Sequence, residues 1–225
     1  MTMMEAIFSR FEELYEKRFK KIPALSMGED SVRYDFFLAL QEVLNLAHHE
    51  LQIEHPIRED TFIPRNDPRS TRKEKPQLDF WVDVAQLKAS FEFGLFRQNS
   101  NINGNINKTN RTYKMVADFL RLGLHQFFSG GKAYFICVAD EKMLKHQLKT
   151  RLLPAFPADE YKIDKLHLDN LLESSKNDVD RRFVNRFREL ETEITAKKVY
   201  DEEIFSKINT LETRILIWEI NTIIK

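Results

Sequence analysis

Two short apolar runs each carry an acid where a carboxylate is out of place. Asp79 lies in LDFWVDV (78–84) and Glu92 in ASFEFGLF (89–96). Side chains alternate faces along a strand, so each acid is the polar exception on its ribbon. If the two runs pair as a hairpin, Asp79 and Glu92 converge on one side of a sheet. Two carboxylates held together repel, and a divalent cation relieves the repulsion. Hard-cation sites for Mg²⁺ combine one or two carboxylates with water and a substrate phosphate, so the pattern points to phosphodiester chemistry.

Other chemistries leave no comparable trace. The single cysteine, Cys137, sits in the apolar run AYFICVAD; it can form no internal disulfide and reads as a buried strand residue. His48 and His49 close a predicted helix and do not make a ligand pair, because adjacent residues on a helix point apart. His125 and His146 are isolated. The chain has no zinc-ligand spacing, no Ser-His-Asp signature and no phosphate-binding glycine loop.

The elements that position the acids follow from periodicity. Residues 4–20 read as an amphipathic helix with Ile7, Phe11, Leu14, Tyr15 and Phe19 on one face. A second helix is predicted over about 30–50, burying Tyr34, Phe37, Leu38, Val43, Leu44 and Ala47, with Glu29 at its start where an acid favours the helix dipole. A short strand over 51–57 ends near Pro56. The proline-bearing stretch 58–76 reads as a loop, and the two acid-bearing strands follow. The segment from Arg97 to Lys114 holds Arg97, Lys108, Arg111 and Lys114, no acid and many asparagines, and reads as a basic hydrogen-bonding loop. A helix over about 112–128 is stopped by Gly130-Gly131, and KAYFICVAD reads as a strand covered on both faces. Beyond it, 140–153 reads as helical, 176–192 as an arginine-rich helix, and LETRILIWEI as a last strand that ITAKKVY could pair with.

The totals frame this. With 225 residues, 42% hydrophobic and 31% charged, the chain has the composition of an ordinary soluble globular protein and can bury one full core. Its 18 phenylalanines point to an aromatic core. The 35 basic and 35 acidic residues balance, which excludes a polycation built for blanket nucleic-acid binding but leaves room for a local basic groove. No signal peptide or membrane-spanning run is seen, so a cytoplasmic protein with no membrane partner is expected. The expected fold is α/β (α+β): one domain over 1–225 with a mixed central sheet flanked by helices. Its core spans about 25–140, preceded by the N-terminal helix 4–20 and followed by an α+β C-terminal extension over 141–225.

The order helix–strand–strand–strand–helix–strand, with acids on the second and third strands, resembles the restriction-endonuclease-like superfamily of PD-(D/E)XK nucleases. The resemblance covers roughly residues 25–140. It implies that Asp79 is the motif aspartate, with Pro76 just ahead of it. Glu92-Phe93-Gly94 is then the acid-X-lysine triplet, with Gly94 in the lysine's place. It further implies Mg²⁺ or Mn²⁺ held by Asp79 and Glu92, with Glu54 as a third candidate ligand and Glu29 as a supporting acid. A lysine two residues past the acid shares its strand face, where it meets the attacking water and the phosphate. Glycine cannot do this, so the cation must come from elsewhere. Lys88 is four residues away, about 13 Å along a strand, which is a poor reach. Lys114 is the first candidate and Arg121 the second, since family members relocate motif residues onto the following helix. Arg97, Lys108 and Arg111 are the expected nucleic-acid contacts, since such side chains bind phosphates and base edges.

The expected function is therefore a metal-dependent nuclease acting on nucleic acid, DNA more than RNA, in restriction, repair or defence. The alternative is a module of the same fold that has lost catalysis and binds nucleic acid or a protein partner, which Gly94 favours. A homodimer stays open, as does an unrelated α+β interaction protein whose acids are incidental.

Overall fold

The computed structural model describes residues 1–63, 75–97, 108–144, 153–173 and 181–224, the side chains of 108–110, 170–173, 181 and 224 excepted. Helix α1 (Met3–Phe19) opens with a capping box, in which Thr2 accepts the Glu5 amide and Glu5 accepts the Thr2 amide. It buries Ile7, Phe8, Phe11, Tyr15 and Phe19. Helix α2 (Glu29–Leu44) stops earlier than its periodicity predicts, because Asn45 turns left-handed at φ 52° and returns its N–H to the Gln41 carbonyl. His48 and His49 therefore lie on a separate 3-10 turn and not on a helix end. The buried face of α2 is also rotated from the predicted one: Val32, Phe36, Ala39 and Leu40 are fully buried, while Tyr34 is 56% exposed and Ala47 is exposed. Phe36 wins the inward position by packing on Phe91 and Phe93.

The strands are β1 (Leu51–Pro56), β2 (Gln77–Asp83), β3 (Lys88–Phe96), β4 (Lys132–Asp140), β5 (Glu160–Ile163), β6 (Thr192–Ile204) and β7 (Thr213–Ile224). They form one seven-stranded mixed sheet in the order β1-β2-β3-β4-β7-β6-β5. All neighbours are antiparallel except β3 and β4, which are parallel and joined by α3 (Lys108–Ser129). The chain past residue 140 continues the same sheet, since β7 pairs with β4 and β6 with β7.

Helices cover both faces, which makes the fold mixed α+β. One core lies under α1 and α2 and takes Phe91, Phe93 and Leu95 of β3 with Tyr134, Ile136 and Val138 of β4. The other lies under α3 and takes Phe96, Phe135, Cys137, Leu216 and Trp218. The remaining helices are α4 (Glu141–Leu144), α5 (Lys165–Glu173) and α6 (Arg181–Glu189). Beyond α4, the predicted helix of 140–153 falls on residues outside those described, as does the first part of 176–192. The α6 arginines are not a bare solvated face: Arg186 donates to the Asp60 carbonyl and Arg188 pairs with Asp169. β5 and α5 carry no clear sequence signal and were not expected.

Helix α3 sits close to the sheet at Gly123. A Cβ there would lie 2.6 and 2.7 Å from Ile194 side-chain atoms and 3.0 Å from the Thr222 hydroxyl. That hydroxyl donates to the Gly123 carbonyl at 2.7 Å. Gly123→Ala is expected to lower unfolding free energy by about 1–3 kcal/mol in urea titration despite the gain in helix propensity. Unchanged or higher stability would show that the packing yields at this point.

Candidate active site

The site forms where β2 and β3 part. Their backbone pairing runs from Asp83↔Lys88 to Phe80↔Phe91. Beyond that, Asp79 bridges the gap with its side chain: Oδ2 accepts the Phe93 amide at 3.0 Å. The Phe93 carbonyl accepts instead from Lys114 Nζ at 2.7 Å. Strand β3 keeps its ladder to β4 through this region, so the opening lies on one side only. An acid on β2 and a lysine on α3 thus meet at the backbone of one β3 residue, Phe93, beside Gly94.

Gly94 shares its strand face with Glu92 and lies under two rings. A Cβ there would sit 2.9 Å from Phe96 and 3.0 Å from Phe135, both fully buried. The space over Gly94 is therefore filled by aromatic packing, and Lys114 places an ammonium at the neighbouring Phe93 carbonyl.

Seven charged groups interlock here. Arg33 Nη2 meets Asp79 Oδ1 at 2.6 Å, and Lys114 Nζ meets Glu29 Oε2 at 2.8 Å. Arg121 lies 2.6 Å from Asp118 and 3.1 Å from Glu92. Four carboxylates thus face three cations, and two of the acids lie deepest. The Glu92 and Asp118 side chains are 3% and 0% exposed, whereas Lys114 and Arg121 are 34% and 25% exposed.

Burial of this kind works against charge on the acids. It pushes the Glu92 carboxyl well above its ordinary range; Arg121 opposes the rise, and Asp118 and Asp79 add to it. Asp118 is pushed up to about 6, again by burial, against the pull of Arg121 and Lys114. For Lys114, burial acts downward, but Asp118 and Glu29 outweigh it and hold the ammonium above its usual value.

The acids are incompletely satisfied. Glu92 Oε1 and Asp118 Oδ2 are buried with no hydrogen bond. Arg121 stands at ionic distance from Glu92 but off the direction a hydrogen bond needs, and Lys114 stands 3.9 Å from Asp118. An oxygen donor thus remains on each of two neighbouring carboxylates. Among the described residues no three His, Cys, Asp or Glu are arranged to hold a metal ion. Mg²⁺ needs only one or two carboxylates, since it keeps several of its waters. The open oxygens are those of Glu92 and Asp118, hard donors of the kind Mg²⁺ takes, whereas both oxygens of Asp79 are engaged, by the Phe93 amide and by Arg33.

The predicted residues divide clearly. Asp79, Glu92, Lys114, Arg121 and Glu29 come together. Glu54 does not: it is exposed on the edge strand β1 and turned left-handed at φ 53°. Ile53 is 57% exposed, where simple alternation with Leu51 predicts burial. Arg97 is half-buried and donates to the Ala24 carbonyl at 2.7 Å, away from the acids. Lys114 lies on α3, as the predicted helix has it, and Lys108 and Arg111 lie there too and not in a loop, because the helix begins four residues earlier than predicted. Arg111 is half-buried in its first turn, and the Lys108 side chain lies outside the described residues. Lys88 reaches toward Asp83 and the Trp81 ring, not toward the site.

Asp118 and Arg33 are the two members of the cluster that the sequence reading missed. Asp118 and Arg121 follow Lys114 at i+4 and i+7, a polar stripe on an otherwise apolar helix face. Arg33 follows Glu29 by one helical turn. Those spacings were the available signals. Among the described residues, no helix is long and apolar enough to cross a membrane. No family model, no curated protein and no solved structure matches this chain.

Proposed function

We propose that the chain is a metal-dependent nuclease of the PD-(D/E)XK kind, acting on phosphodiester bonds of nucleic acid, DNA in preference to RNA, in restriction, repair or defence. The observation that carries this reading is the meeting of Asp79 and Lys114 on the backbone N–H and carbonyl of Phe93, next to buried Glu92. It supplies two acids and a lysine at the opening of β3, although Gly94 stands where the triplet's lysine would be.

Asp79 and Glu92 would hold Mg²⁺ or Mn²⁺, which when bound supplies a water of lowered pKa and positive charge beside the phosphate. The remaining roles belong to this chain. Lys114 is held above its ordinary pKa, so it stays an ammonium at neutral pH and acts by orienting water and offsetting charge on the phosphate, not by removing a proton. Arg121 ties Glu92 to Asp118 and donates to the Gln77 carbonyl at 3.1 Å, fixing the deep acids against β2. Glu29 holds Lys114 from the start of α2.

The second reading, a module that binds without cutting, is favoured by Gly94 alone. The test is cleavage of a sequence-diverse mixture of single- and double-stranded DNA with Mn²⁺. The expected outcome is cleavage by the wild type, none by Asp79→Ala, and a loss of about 10²–10⁴-fold in Lys114→Met. Metal-independent, salt-sensitive DNA binding without cleavage would favour the second reading.

A further inference from the structure

The three cations of the site are not held alike. Lys114 is anchored to the Phe93 carbonyl and Arg121 to that of Gln77, at 2.7 and 3.1 Å. Arg33 has no such anchor. Its close contact is Asp79 Oδ1 at 2.6 Å; Glu29 and the exposed Asp30 are each 3.4 Å away. Its Nε is buried without a partner, a standing cost of keeping the guanidinium where it is. Asp79 Oδ2 is already committed to the Phe93 amide. Oδ1 is thus the oxygen that Asp79 can offer a cation, and Arg33 sits on it.

We propose that Arg33 is a built-in stand-in for the divalent cation: metal and guanidinium compete for Asp79 Oδ1, and the displaced guanidinium becomes a phosphate contact for the nucleic acid. This rests on the nuclease reading. The side chain is 27% exposed at the opening of the site, so it can swing outward without unpacking α2, whose buried face is made by Val32, Phe36, Ala39 and Leu40. A freed guanidinium presents a planar fork that matches two phosphate oxygens. The arrangement keeps Asp79 paired in the free protein and links metal loading to the appearance of a substrate contact.

The test is Mn²⁺ binding to the full chain without nucleic acid, read from the electron paramagnetic resonance of free Mn²⁺. Arg33→Gln removes the competitor and is expected to bind Mn²⁺ about tenfold more tightly than wild type. Arg10→Gln, a remote change of equal charge, is expected to match wild type. Arg33→Lys keeps the charge without the fork and should fall between wild type and Arg33→Gln; it also serves if the glutamine variant does not fold. With Ca²⁺ present, Arg33→Gln should bind a fluorescein-labelled DNA duplex about tenfold more weakly by anisotropy. Wild-type Mn²⁺ binding that Arg33→Gln and Arg33→Lys fail to tighten overturns the competition and leaves the nuclease reading standing. Unchanged duplex affinity overturns the phosphate role. Absence of Mn²⁺ binding by every variant, wild type included, removes the nuclease reading and this inference with it.

Discussion

The Gly94→Lys variant, which places on β3 the lysine that the proposed nuclease reading calls for, is expected to lose about 3 kcal/mol or more of stability and to gain no activity. The backbone at Gly94 is not left-handed, so conformation is no obstacle; packing is. The first side-chain carbon would already press on Phe96 and Phe135 at 2.9 and 3.0 Å. Those rings cannot step aside, since Phe135 also packs on Phe119 and Trp218, and Phe96 on Phe156. Gly94→Ala is expected to cost about 1–3 kcal/mol, partly offset by the poor strand propensity of glycine. The lysine adds three methylenes and a charge to the same crowded place. In urea titration the order should be wild type, Gly94→Ala, Gly94→Lys. In the cleavage assay, adding Gly94→Lys to Lys114→Met should rescue nothing. A stable single variant and a rescued double variant would show that the strand position is open to lysine and that Lys114 is not its replacement.

Stability should fall as pH rises from about 4 to about 6, and Asp118 should account for much of the fall. Its folded pKa, pushed up to about 6, lies above the ordinary 3.8. Between those values the native state binds more protons than the unfolded chain, so each step up in pH favours unfolding, and the slope ends above about 6. A gap of about two units corresponds to about 3 kcal/mol. Glu92, raised by the same burial, acts in the same direction. The measurement is the urea midpoint at pH 4.5 and pH 7 in chelator, for wild type and Asp118→Asn. The asparagine keeps an acceptor for Arg121 and cannot ionise, so its stability relative to wild type should be higher at pH 7 than at pH 4.5. Mn²⁺ should flatten the wild-type slope, because a bound cation favours the ionised carboxylates. Parallel pH profiles for the two proteins would place the buried charge cost elsewhere.

The amino-acid sequence by itself determined the two strand acids and most of the local elements, though not β5 or α5. A carboxylate inside LDFWVDV or ASFEFGLF stands out because its neighbours are apolar, and that contrast needs no partner to be visible. The same holds for α1, whose cap and apolar spacing lie within one short window, and for KAYFICVAD, apolar enough to be the covered strand β4. The tertiary structure decided what the acids meet. Arg33 is 46 residues from Asp79 and Lys114 is 85 from Glu29. Lys114 and Arg121 enter the sequence reading of the site only through the resemblance, and Asp118 not at all, until α3 is laid on the sheet beside Glu92. Glu54 shows the converse: a local kink, set by no pattern in the strand, removes an acid that alternation had offered. Periodicity fixes which residues share a face of one element, but which faces meet is a matter of packing between elements distant in the chain, and the site is made at those meetings.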